Sequence, residues 1–131
     1  MDTSASLNAL REYFETGATQ SYDFRKQQLL KLKVAVEKYE LELYEALYKD
    51  LHKSHEECRI TETGFFLAEL SSAIKHLRSR MRPETVGPNL LNLPSRSFIL
   101  KEPLGFVLII HPWNLPFHFL FTPHTGPLSL A

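Results

Sequence analysis

Over the first eighty residues apolar positions return every three or four, the period of helices with one buried face. Leu7, Leu10 and Phe14 form a short stripe that Gly17 closes. A longer stripe, Leu29, Leu32, Val36, Tyr39, Leu43 and Leu47, predicts one helix over 23–51, with the charged residues between on its solvated side. Ser54 and Glu57 have the spacing of a capping box and predict a third helix. Its buried face is expected at Ile60, Leu67, Leu70, Ile74, Leu77 and Met81, with Pro83 as its stop. Arg78, Arg80 and Arg82 gather near that end, where the helix dipole favours cations. Gly64 lies inside this helix and weakens it.

At Pro83 the pattern changes. Pro83, Gly87, Pro88 and Pro94 break helix, and 96–101 and 106–110 read as strands separated by Glu102-Pro103-Leu104-Gly105. The run 106–110 lacks alternation and is rich in branched residues, which predicts a central strand covered on both faces. A parallel neighbour needs a crossover of about a dozen residues or more, and too few follow Ile110. The expectation is a sheet begun and not completed.

Composition narrows the function classes. At 131 residues with 44% hydrophobic and 23% charged positions, the chain has the mix of one globular domain. Fifteen basic residues balance fifteen acidic ones, which removes the broad attraction a nucleic-acid or anionic-membrane partner would use. Met1 to Ser6 lacks the basic-then-apolar pattern of a secretory signal, so a cytoplasmic location is expected. The longest aliphatic and aromatic run, 106–110, is too short to cross a bilayer, and Pro116, Pro123 and Pro127 argue against a spanning helix in the tail. One cysteine, Cys58, excludes an internal disulfide. His52, His55 and Cys58 have an H-x-x-H-x-x-C spacing, but they straddle two predicted helices with no fourth ligand, so no metal is assigned. Cys58 lies at a helix start, where a lowered thiol pKa is conceivable. His118 and His124 read as polar tips on an apolar segment.

The segment EPLGFVLIIHPWNLPF at 102–117 resembles the aldehyde dehydrogenase family, which has an E-P-x-G turn, a buried first strand of the nucleotide-binding domain and a P-W-N loop leading into a helix. ALYKDLHKS at 46–54 and the helices around it resemble the family's N-terminal region, especially its class 3 branch; the likeness covers roughly 7–123. It implies an α/β fold: an N-terminal helical segment over 1–83, a β-hairpin or strand pair with its linker over 84–104, and over 105–131 the incomplete start of a Rossmann-like nucleotide-binding domain, with its first strand.

In that family a cysteine thiolate attacks the aldehyde, hydride passes to the nicotinamide of NAD or NADP, and an acidic residue activates water to release the carboxylic acid. The resemblance implies that Asn114 stabilises the oxyanion and that His111, Pro112 and Trp113 lie beside the cofactor. An amide N–H suits the first task, since it meets charge that develops near the transition state. Spacing alone would favour a turn asparagine and a packing tryptophan, and the surrounding family pattern reverses that preference for Asn114. The family's catalytic cysteine, general base and cofactor-binding glycine motif have no counterpart here, and from His124 the chain departs from the family pattern, with Pro127 expected to interrupt the helix. A frameshift, a truncation or a partial gene model would each produce that ending. The chain alone is expected to be inactive and to bind no cofactor, while its parent would oxidise aldehydes as a homodimer. The alternative is a non-catalytic helical interaction module or truncated pseudoenzyme.

Overall fold

The computed structural model describes residues 3–103, 105 and 107–129. Helix α1, Thr3–Glu15, is followed by α2, Tyr22–Lys38, and α3, Glu40–Leu51. The short α4, His55–Cys58, passes through a π-helical turn, Arg59–Gly64, directly into α5, Phe65–Arg80. Strands β1, Glu84–Val86, and β2, Ser97–Ile99, precede the last helix, α6, Pro116–Ser129.

The predicted helix 23–51 is two helices. Tyr39, at φ −101° and ψ 13°, leaves helical geometry between α2 and α3. The break lets the two halves serve different cores. Leu29 and Val36 of α2 pack with Phe66, Leu70, Leu77 and Phe117, whereas Tyr44 and Leu47 of α3 pack with Cys58. Leu43 touches both clusters. Tyr39, expected on the buried face, is instead exposed at the kink.

The third predicted helix starts where expected, with Ser54 Oγ accepting from the Glu57 N–H at 3.2 Å. Its expected face holds at Leu70 and Leu77, with Leu67, Ile74 and Met81 partly buried against the same core, and fails at Ile60. The π turn adds a residue to one turn and shifts the register, so Ile60 points to solvent and the buried column becomes Cys58, Glu62, Phe66, Leu70, Ala73 and Leu77. Gly64 is what the turn requires: a Cβ there would lie 2.3 Å from the Arg59 carbonyl oxygen.

β1 and β2 pair antiparallel, Glu84 with Ile99, Thr85 with Phe98 and Val86 with Ser97. The expected strand 106–110 is not formed at 107–110, and Phe106 lies outside the described residues. A strand exists only through a neighbour's hydrogen bonds, and β1 with β2 is the sheet among the described residues. Ile110 is accordingly 85% exposed. Gly105, at φ +85°, turns the chain against α1: a Cβ would come within 3.2 Å of the Phe14 ring. That conformation and that approach both select glycine at position 105.

α6 runs through Pro123 and Pro127, contrary to the expected interruption. Four residues apart, the two prolines remove hydrogen bonds from one side of the helix and leave the others. Packing offsets the cost: Phe117 meets Phe66 edge-on at 5.4 Å between ring centres, and Phe121 lies 5.8 Å from Phe66.

Candidate functional site

A helix begins with N–H groups that have no partner within it. The residue that immediately precedes α6, Leu115, has no side-chain acceptor to cap its start. The acceptor comes from elsewhere in the chain. Glu62, on the π turn and 0% exposed, receives the His118 N–H on Oε2 at 2.9 Å. A carboxylate in that position also meets the positive end of the helix dipole.

Glu62 does not stand alone. Its Oε1 accepts from Lys53 Nζ at 2.5 Å, and the same ammonium donates to the Asn114 carbonyl at 2.8 Å. Lys53 is 8% exposed and lies in the short link between α3 and α4. His52 ends α3 in a left-handed conformation, φ 56°, and Ser54 caps α4. The bend between these helices therefore aims Lys53 inward. Two charges taken out of water cost several kcal/mol each unless their mutual attraction and further hydrogen bonds offset it. Here both partners spend those further bonds on the backbone of the Asn114 loop and of α6.

The loop held from below is open above. Pro112, Trp113 and Asn114 are exposed, Trp113 at 77%, and His111 is half-buried. The His111 Nδ1 lies 3.0 Å from the Pro112 carbonyl, and its ring centre is 6.1 Å from that of Trp113. The four residues picked out by sequence thus share one exposed loop at the start of α6, with the Asn114 backbone fixed and its side chain at the surface. Lys53 and Glu62 were missed by sequence reasoning. Stepping back from Leu70 in helical intervals through Phe66 reaches Glu62, so a charge on the buried column was the available signal.

The remaining candidates are placed plainly. Cys58 is fully buried, and burial pushes its thiol above the ordinary range, with Glu62 and Glu57 adding to the shift and Lys53 opposing it. The lowered pKa conceived for a helix start is therefore corrected: loss of solvent outweighs the nearby cation. His52 lies against Tyr48 and His55 against Tyr44, and among the described residues no three His, Cys, Asp or Glu side chains group to hold a metal. His118 Nδ1 meets the Thr122 hydroxyl at 3.1 Å, and His124 Nδ1 the Leu120 carbonyl at 2.6 Å. Among the described residues no helix is long and apolar enough to cross a membrane.

A helical body thus carries a two-stranded antiparallel sheet and, at the N-terminus of α6, an exposed loop. The sequence profile described as "Aldehyde dehydrogenase family" matches residues 1–128. The chain is 42% identical over 123 residues to mouse "Aldehyde dehydrogenase family 3 member B1" and 40% identical over 119 residues to "4,4'-diaponeurosporen-aldehyde dehydrogenase" of Staphylococcus aureus. These alignments cover 94% and 91% of this chain and 26% of each relative, so the chain spans about a quarter of their length. A solved structure titled "Substrate bound state of Staphylococcus Aureus AldH" superposes with a TM-score of 0.93 at 38% identity, over 98% of this chain and 28% of that one. The chain belongs to the aldehyde dehydrogenase family, as a class 3-like N-terminal segment with a partial form of that α/β fold.

Proposed function

We propose that the chain is the N-terminal part of an NAD(P)-dependent aldehyde dehydrogenase and contributes Asn114 as the oxyanion donor. The observation that carries this is the pairing of an exposed Asn114 side chain with a backbone held by a buried ion pair, in a chain of this family. Attack on an aldehyde carbonyl turns its oxygen into an alkoxide, and a donor whose main chain does not move needs little reorganisation to meet it. The nucleophile is a cysteine thiolate outside these residues, since the sole cysteine, Cys58, is buried with its thiol pushed up.

The 131 residues alone are inactive on this reading, because thiolate, water-activating acid and glycine motif all come from elsewhere. Pro112 and Trp113 are both exposed beside the half-buried His111, apolar surface that on this reading meets a planar nicotinamide or base. When bound, NAD or NADP supplies the hydride acceptor. The whole protein acts on aldehydes as a cytoplasmic homodimer, with the helical segment 1–83, the strand pair and linker 84–104 and the nucleotide-binding start at 105–131 as its N-terminal organisation.

Aldehyde-dependent cofactor reduction tests both halves. Sustained turnover by the pure 131-residue chain would overturn its inactivity. In the intact enzyme, Asn114→Ala lowers kcat by about a hundredfold with the fold unchanged, the worth of one oxyanion donor; unchanged turnover removes the assigned role.

The exposure of Leu108 and Ile110 in the unpaired segment 107–110 favours a second reading, a non-catalytic helical interaction module that pairs with a partner through its helices and this segment. Light scattering after size exclusion separates the two. A monodisperse monomer with no affinity for a full-length relative counts against docking.

A further inference from the structure

Three features of the Asn114 loop meet at one point. Its backbone carbonyl is bonded to a lysine 61 positions earlier in the chain, at 2.8 Å. That lysine is paired with a carboxylate that has no exposure to solvent. The same carboxylate closes the first turn of the helix that follows the loop, through the His118 N–H at 2.9 Å. The pair therefore grips the loop on both sides of Leu115, at Asn114 and at His118. A charge pair buried solely for stability gains nothing over an apolar pair of the same volume, which is often as stable or more so. What an apolar pair could not do is bond these two backbone groups.

We propose that Lys53 and Glu62 are a positioning pair that locks the Trp113–Asn114 loop against the start of α6. The functional meaning of this rests on the reading of Asn114 as the oxyanion donor, for which a displacement of about 1 Å costs about a hundredfold in rate. Lys53 fixes the donor's main chain from below. Glu62 holds Lys53 in place and ties the helix to it. Neither side chain reaches the exposed face where an aldehyde would sit, so both act through Asn114 and not on substrate.

The test uses the 131-residue chain itself. Trp113 is its one tryptophan and adjoins Asn114, so its fluorescence reports this loop alone. Time-resolved anisotropy gives the share of nanosecond motion at Trp113, and amide exchange gives the protection of the His118 N–H. Lys53→Met is expected to raise the nanosecond share about twofold, and Lys53→Arg to restore it, since a guanidinium can bond both partners. Glu62→Gln, which keeps an acceptor oxygen, is expected to expose His118 to exchange less than Glu62→Leu does. A folded Lys53→Met chain whose Trp113 moves as before overturns the proposal.

Should Lys53→Met not fold, the double variant Lys53→Met/Glu62→Leu removes both charges and keeps the volume. It is expected to fold with the same loosened loop, and an ordered Trp113 in it overturns the proposal equally. The outcomes are independent of turnover. An unmoved Trp113 removes the positioning pair and leaves the role of Asn114 standing, whereas unchanged turnover in Asn114→Ala removes that role and leaves the grip on the loop intact.

Discussion

The helical body and the stretch from Glu84 to Trp113 contain similar apolar residues and treat them in opposite ways. In the body Leu29, Phe66, Leu70 and Leu77 are fully buried. In the later stretch Leu91 is 90% exposed, and Leu90, Leu93, Leu100, Leu108 and Ile110 are exposed with it. Leu90 and Leu91 sit on a single 3-10 turn, Leu90–Asn92; for Leu108 and Ile110 the difference lies in where an element finds its hydrogen bonds. A helix satisfies its backbone from within, so α2, α5 and α6 need only their side chains to meet. A strand depends on a neighbour, and apart from β1 with β2 the described residues offer none.

The contrast breaks most visibly at Phe66, where α5 meets both phenylalanines of α6. Phe66→Ala is expected to cost about 3–5 kcal/mol in urea unfolding; a loss under about 1 kcal/mol would show that this core is not what holds α6. Next comes Gly64→Ala. Such a change ordinarily stabilises a helix by about 0.5–1 kcal/mol, but here the methyl group meets the Arg59 carbonyl, and a loss of about 1–3 kcal/mol is expected. A raised melting temperature would mean that the π turn relaxes freely into α-helix.

The smaller core sharpens the comparison through pH. The Tyr44 hydroxyl, bonded to Glu40 at 2.6 Å and 2.7 Å from the Thr63 hydroxyl, has its pKa pushed up to about 12 by burial and by the bond to the Glu40 carboxylate. Its folded pKa exceeds the ordinary 10.0, so its contribution is fully present below pH 10 and is lost as pH rises towards 12. Stability is expected to fall over that window, and Tyr44→Phe to flatten the fall; an identical slope in the variant would place the effect on other groups. The smallest effect is expected on the other side of the contrast. Leu108→Ser should change unfolding by less than about 0.5 kcal/mol, and a loss above about 2 kcal/mol would reveal burial that this chain acquires in solution.

Much of this was legible in the sequence, and its errors share a cause. The capping box at Ser54 and the column Leu70 to Leu77 follow from local rules, and the structure has both. The break at Tyr39 leaves no mark on periodicity, since leucines continue through it. It arises because α2 and α3 pack on different clusters. Ile60 was assigned to the buried face because a constant period was carried across a turn holding one residue more.

The candidate site divides in the same way. Its loop residues, His111, Pro112, Trp113 and Asn114, are contiguous and could be picked out by their resemblance to a family pattern. Its buried support could not, because Lys53 and Glu62 are 61 and 56 positions from their backbone partners. The sequence by itself determined the capped start at Ser54 and most of the residues that can face a core, for these depend on neighbours within a turn or two, while the loop at Asn114 stood out only through its resemblance to a family pattern. Only the tertiary structure decided which charges are buried and what they hold. Burying a charge is favourable only beside its partner, and the partners meet only when the chain has folded.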